Sequence, residues 1–179
     1  METFFTADTH FGHTNIINYC DRPFATKQEH DEGLIQNWNS VVNKKDHVYH
    51  LGDFGFGEIA YLKKLCQRLN GKIHLILGNH DKSSIVRGEL AFRFTTIQDV
   101  HLYKRKFFGE KVEIFLSHYP HRSWPKAFHG SWHLFGHVHG NMEPYNRSFD
   151  VGVDCWDYTP ISLDQVHEKI KTLENNMGV

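Results

Sequence analysis

With 179 residues, of which 40% are hydrophobic and 14% aromatic, the chain is long enough to bury a core and too apolar to be disordered. That length fits one domain, 1–179. A formal net charge of -1 excludes a global charge excess of the kind that draws a protein to a polyanion, so strong nucleic-acid binding is not expected. The 3 cysteines, Cys20, Cys66 and Cys155, are scattered and lack Cys-x-x-Cys spacing. They argue against a disulfide framework or a thiolate zinc site and read as small buried residues. The N-terminus shows no basic region followed by a long apolar stretch, so neither a signal peptide nor a membrane span is expected. A cytoplasmic setting is the default expectation.

In chain order, Thr3–Ala7 is a short β-branched and aromatic run, a strand that delivers Asp8 at its carboxyl end. The segment from Gly12 to Ala25 reads as the longest irregular stretch near it. Thr26 followed by Glu29 resembles a capping box. Leu34, Ile35, Trp38, Val41 and Val42 then recur at helical spacing, which predicts a helix over Lys27–Val42 with Trp38 in the core. Val48–Leu51 reads as a second strand, ending at Gly52-Asp53. A helix is expected over Glu58–Leu69, stopped by Asn70-Gly71. Ile73–Leu77 is a third strand, ending at Gly78-Asn79.

Three β-α units thus each end on a polar residue at a strand's carboxyl edge, where ligand sites form in α/β folds. The pattern then changes. Val100–Lys104 and Val112–Ser117 flank Phe108-Gly109-Glu110, a hairpin. The basic run Lys104-Arg105-Lys106 reads as its solvated face. Ser117-His118 closes the second hairpin strand. Trp132–Phe135 delivers Gly136-His137-Val138-His139, and Phe149–Val153 is another short strand. Ser162 and Gln165 form a second capping box before Leu163, Val166, Ile170 and Leu173 on a terminal helix; the tail Asn175–Val179 is expected to fray.

Of the 15 histidines, His30, His47, His74, His101 and His167 lie outside these motifs and read as structural; His129 and His133 stand near the last motif without a clear role. As candidate ligands the motifs supply two Asp (Asp8, Asp53), one Asn (Asn79) and four His (His10, His118, His137, His139). That mixture of hard oxygen and borderline nitrogen suits Mn, Fe, Zn, Co or Ni better than Ca or a pure Mg site.

Asp8-Thr9-His10, Gly52-Asp53, Gly78-Asn79-His80-Asp81, Ser117-His118 and Gly136-His137-Val138-His139, in this order, resemble the calcineurin-like metallophosphoesterase superfamily. The resemblance runs from Asp8 to about Asp157. It implies an α/β (α+β) fold, a central β-sandwich of two mixed sheets flanked by helices, with a metal site at the carboxyl ends of strands. It also implies two divalent metal ions, with Mn preferred. Asp53 would bridge them; Asp8, His10 and His139 would complete one ligand set, and Asn79, His118 and His137 the other. The implied reaction is in-line attack on a phosphomonoester or phosphodiester by a hydroxide held between the ions. His80 would protonate the leaving group, and Asp81 would orient the His80 ring.

His13 and Asn15 follow the first motif closely, and Arg122 follows His118 by one short segment. With Arg22 they are candidate substrate contacts, the arginines as phosphate clamps. Many family members carry an acid and an arginine soon after Gly-Asp; here the run is Gly52-Asp53-Phe54-Gly55-Phe56-Gly57, with neither. Phe54 and Phe56 read as core, with stacking on a nucleobase or aryl group as the alternative. The expected substrate is a small phosphate ester, such as a nucleotide. Two other functions compete: a nuclease for short or single-stranded nucleic acid, and a non-catalytic binding scaffold on the same fold.

Overall fold

The computed structural model describes residues 1–81, 85–107 and 109–175. Nine strands lie among them: β1 (Thr3–Thr6), β2 (His47–His50), β3 (Lys72–Ile76), β4 (Phe94–Gln98), β5 (Val100–Phe107), β6 (Glu110–Ser117), β7 (Trp132–Phe135), β8 (Ser148–Asp150) and β9 (Ile161–Ser162). The α-helices are α1 (Ile16–Tyr19), α2 (Lys27–Val41), α3 (Ile59–Cys66) and α4 (Leu163–Lys171). One sheet runs β4-β3-β2-β1-β9, the other β5-β6-β7-β8. The first is parallel except for β9, the second parallel except for the β5–β6 hairpin, so both are mixed, as expected.

Strand alternation explains how one sheet serves two cores. In β1, Phe4 joins Leu34 and Trp38 of α2 and Leu62 and Leu65 of α3 on the helix-covered face. Its neighbour Phe5 points the other way, into the layer shared with Ile114, Leu134 and Phe149 of the second sheet and Val166 of α4. Phe5 is fully buried; its truncation to Ala would cost about 3–5 kcal/mol. These two packed layers hold the carboxyl ends of β1, β2, β3, β6 and β7 close together.

Helix ends show which sequence signals acted. Thr26 Oγ1 accepts from the Glu29 N–H, but the Glu29 carboxylate reaches back to the N–H of Ala25, one residue before the cap. At Ser162 and Gln165 the reciprocal box is complete. α3 stops at Cys66, short of the expected Leu69. The Arg93 guanidinium donates to the carbonyls of Cys66, Leu69 and Gly71, satisfying groups that a longer helix would have left open.

Several elements differ from expectation. The Gly12–Ala25 stretch contains α1. β8 ends at Asp150, and Val153–Cys155 forms a 3-10 turn instead of extending the strand. Unforeseen are β4, β9, a π-helical turn at Ile85–Glu89 and a 3-10 turn at Ala91–Arg93. β4 is an edge strand whose Thr95 and Thr96 face outward and whose Ile97 is half-buried, so it lacks the apolar alternation that marks a strand in sequence. The hairpin pairs as expected up to Phe107 and Glu110; Phe108, and 176–179 of the tail, lie outside the described residues. Cys66 is buried, but Cys155 is exposed and Cys20 half-buried, against the reading of all three as core. Among the described residues no helix is long and apolar enough to cross a membrane.

Candidate metal centre

The loops after β1 and β2 continue the parallel pairing of their strands. The N–H groups of Asp8, His10 and Phe11 donate to the carbonyls of Gly52, Asp53 and Phe54 at 2.9, 2.9 and 3.0 Å. On the other side, Val153 N–H donates to the Ala7 carbonyl, and Gly136 N–H to that of His118. Backbone hydrogen bonds thus join the loops carrying Asp8, His10, Asp53, His118 and His137.

This convergence strains the chain. Asp8, His10, Asp53, His137 and His139 all adopt left-handed backbone, with φ of 57°, 48°, 54°, 75° and 50°. For residues other than glycine, each such conformation costs on the order of 1–3 kcal/mol and persists only where the surroundings impose it. Five of the seven residues expected to hold metal share it. Glycines supply the close approaches. A Cβ on Gly136 would lie 2.5 Å from Asp8 Oδ2, and one on Gly78 would overlap the Asp53 carboxylate.

Among the described residues two groups of donor atoms consist of expected residues, and a third, Cys20 with His139 and Asp154, shares His139 with the first of them. Asp8, His10 and His139 form the first; Asp53, His118 and His137 form the second. The Asp53 carboxylate stands between these two, its Oδ2 3.6 Å from His10 Nε2 and 3.5 Å from His118 Nε2. Asn79 joins the second group through its Oδ1, 2.9 Å from His118 Nε2. The structure therefore brings all seven expected residues together.

The polar bookkeeping of these residues fits cations. Asp8 Oδ2 accepts from the His137 N–H, but its buried Oδ1 has no partner, and neither has either ring nitrogen of His10. Burial, with His139 and Arg22 nearby, lowers the His10 pKa and keeps the ring a neutral donor. Burial also raises the Asp8 pKa well above the usual carboxylate range, so its charged form needs a positive neighbour. His118 Nδ1 donates to the Leu51 carbonyl at 2.8 Å, which leaves a lone pair on Nε2 facing the oxygens of Asn79 and Asp53. Lone pairs converging on one point repel unless a cation or proton lies among them.

Asp154 was not singled out in the sequence. Its Oδ2 lies 2.7 Å from His139 Nδ1, so the other nitrogen of that ring is left for the cluster. Burial pulls the His139 pKa down, but the hydrogen bonds to Asp154 and Cys20 and the field of Asp8 outweigh it and push the value up to about 10. Asp150 is likewise new: it accepts from the N–H groups of Gly140 and Gly152 and so ties the His137–His139 loop to the next one.

The remaining expected residues divide. His80 is exposed on the rim, its ring centroid 5.5 Å from that of His10, and its N–H donates to Asp53 Oδ1. Asp81 is buried and accepts from the N–H groups of Asp53, Phe54 and Gly78, so its oxygens serve the backbone under Asp53 and not the His80 ring. His13 lines the same cleft of about 380 Å³ as His10, Asp53, Asn79, His80, His137 and His139. Asn15 is exposed at the start of α1 and does not line that cleft.

Arg22 is a correction. It is buried, and its five N–H groups are taken: two by Asp154, the others by the Asp8 and Thr9 carbonyls and His30 Nε2. Nothing remains for a phosphate, and its task is to brace the loop carrying Asp8 and His10, and Asp154. Arg122 is exposed in a separate depression with Met142 and Tyr145, away from the metal cleft. The two phenylalanines also separate: Phe54 is core, whereas Phe56 is 43% exposed beside His13 and His80.

No family model matches the chain. A protein called "Uncharacterized protein MJ1445" of Methanocaldococcus jannaschii is 37% identical over 182 residues, covering 92% of this chain and 89% of its own length. The chain belongs to the family of MJ1445. The same fold occurs in a protein of unknown function, AQ665 of Aquifex aeolicus, with a TM-score of 0.71 and 27% identity over 94% of this chain and 99% of that one. An archaeal phosphodiesterase shares the fold at a TM-score of 0.50 and 19% identity, over 85% and 82% of the two chains. The chain therefore shares the fold of that phosphodiesterase, and it carries Asp and His groups that could bind metal.

Proposed function

We propose that the chain is a phosphoesterase of the calcineurin-like superfamily that works with two divalent metal ions. The observation that carries this reading is the position of Asp53, one carboxylate oxygen within 3.6 Å of imidazole nitrogens from both donor groups. Asp8, His10 and His139 would hold one ion and Asn79, His118 and His137 the other, with Asp53 shared. Such a pair supplies Lewis acidity: it activates water near neutral pH and stabilises charge on phosphoryl oxygens.

The chain's own residues do the rest. The Leu51 carbonyl and Asp154 fix the ring orientations of His118 and His139, so their ligand nitrogens are presented without rearrangement. Asp81 holds the turn of Asp53 through three N–H bonds. His80 lines the open rim and would give a proton to a departing alkoxide. The archaeal phosphodiesterase of the same fold agrees with the reading. The mixed oxygen and nitrogen donors favour Mn, with Fe, Co, Ni or Zn as competitors.

The test is hydrolysis of an aryl phosphodiester and an aryl phosphomonoester by Mn-loaded protein, with metal content measured in the same sample. Turnover that chelation abolishes and Mn restores is the expected result. Folded protein with both ions bound and no turnover on either ester would instead make the chain a binding scaffold.

A further inference from the structure

The metal cleft is bordered by aromatic rings that the core does not use. Tyr19 is 73% exposed, Tyr119 49% and Phe56 43%. Exposed aromatic rings grouped at a polar cleft offer a ligand faces to stack on. Their placement is not random about the two donor groups. Tyr19 and Phe56 pack on His13, with ring centroids 6.3 and 5.0 Å away, and His13 lies 5.5 Å from His10 of the first group. Tyr119 packs on His137 and His118 of the second group, at 4.6 and 5.0 Å. A phosphoryl group centred near Asp53 would thus have an exposed aromatic ring on either side.

The charge of the cleft narrows the substrate further. Among the described residues that line it there is no Lys or Arg; the lining is imidazole, amide, Tyr19, Ile16, Cys20 and Asp53. Both arginines that could have held extra phosphate charge are elsewhere, Arg22 saturated in the interior and Arg122 in a separate depression. Among the described residues of that lining, a substrate with a chain of phosphates would find no side-chain cation for its additional charges. A diester carries one.

Resting on the phosphoesterase reading, we propose that the substrate is a phosphodiester joining two nucleosides, with one base stacked on the Tyr19–Phe56 side and the other on Tyr119. Hydrolysis adds water across one P–O ester bond: the hydroxyl oxygen stays on phosphorus, and the leaving nucleoside hydroxyl takes the proton. The products are a nucleoside and a nucleotide, or two shorter strands. Base stacking on an exposed aromatic ring tolerates any base, so affinity depends on having two rings more than on which bases they are.

The test is calorimetric binding of a dinucleoside whose two bridging ester oxygens are both replaced by carbon, so that neither bond can be hydrolysed. It is titrated into metal-loaded protein beside a mononucleotide and a nucleoside diphosphate. The dinucleoside analogue should bind at least roughly fivefold more tightly than either, and Tyr19→Ala and Tyr119→Ala should each weaken it by roughly five- to a hundredfold, the range for loss of one base–aromatic stack. Tyr119→Phe, which keeps the ring, should bind as the parent does, and metal content should be the same in all variants. Equal affinity for the nucleoside diphosphate, or variants that bind like the parent, would overturn the inference while ester hydrolysis by the parent leaves the phosphoesterase reading standing. Absence of ester hydrolysis with both ions bound would overturn both.

Discussion

His139 Nδ1 and Asp154 Oδ2 lie 2.7 Å apart, and the same carboxylate receives Nε and Nη2 of the buried Arg22 at 2.8 Å. An imidazole of the first donor group is thereby fixed by an acid that is itself fixed by an arginine bonded to the carbonyl of Asp8, in the same group. Asp154→Asn keeps the shape but removes the charge, and one oxygen becomes a donor facing Arg22 or His139. Metal affinity should fall by about 10–100-fold, the usual effect of losing such a partner. Competition with a chromophoric chelator measures it. Unchanged affinity would show that the pair only stabilises the loop.

Asp154 also shows what the sequence withheld. The convergence of the candidate donors was legible because each follows an apolar strand run, as Asp8 follows Thr3–Thr6 and His118 follows Val112–Ser117, and strand ends gather in a sheet. Asp154 sits in a 3-10 turn where an extended strand was expected, and its partner Arg22 lies 132 residues away. No local pattern announces such a pairing. Arg22 gives no local sign of its burial either, since exposure is the default for an arginine until its partners are known. Asp81, beside His80 in sequence, faces the backbone under Asp53, where the N–H groups of Asp53, Phe54 and Gly78 donate to its oxygens.

Asp53→Asn should empty both metal sites. Its Oδ1 accepts from the His80 N–H, a bond that an asparagine Oδ1 retains, while Oδ2 is replaced by an NH₂ that cannot donate an electron pair to a cation. The fold should therefore persist. Elemental analysis after dialysis should find less of either ion than in His137→Ala or Asp8→Asn, each of which removes a ligand from one group only. Retention of one full equivalent would refute the shared role.

Gly78→Ala tests the close approach beneath Asp53. The added methyl would overlap the Asp53 carboxylate and backbone nitrogen, and neither is the free end of a flexible side chain. Overpacking of this kind costs typically about 1–3 kcal/mol. Metal content should fall with stability. Gly88, with open space where a Cβ would stand, is the control, and its alanine variant should bind metal as the parent does. A Gly78→Ala protein with full metal content would mean that the loop can shift without consequence.

His133 should make stability fall on mild acidification. It is buried between Ser117 Oγ at 2.8 Å and Ser148 Oγ at 2.7 Å, and the Ser117 hydroxyl already donates to the Tyr119 carbonyl. The ring is therefore held neutral, donating from Nε2 and accepting at Nδ1. Burial, with His121 nearby, lowers its pKa to about 3. The unfolded chain binds a proton below about pH 6.5 and the folded one does not until about pH 3, so stability drops as pH falls through that window. The slope is about 1.4 kcal/mol per pH unit for this group. Denaturant unfolding of the parent and of His133→Gln at pH 7 and 5 checks it. The variant starts less stable but should lose about 2 kcal/mol less over that interval; parallel slopes would assign the acid sensitivity to other groups.

His80 carries the sharpest chemical expectation. Its ring is exposed on the cleft rim, while its backbone N–H is bonded to Asp53 Oδ1. Replacing the ring leaves that bond intact, so His80→Ala should keep both ions. What it removes is a proton source for the leaving oxygen. An alkyl alcohol needs that proton and a nitrophenolate barely does, so the loss should depend on the leaving group. A fall of about 10²–10⁴-fold on an alkyl ester is the usual size of a lost general acid, with a smaller fall on the nitrophenyl ester. The comparison requires metal content in the same samples, because a displaced Asn79 would slow both esters alike. Equal losses with full metal content would instead mean that His80 positions the phosphoryl group, and that the proton comes from water.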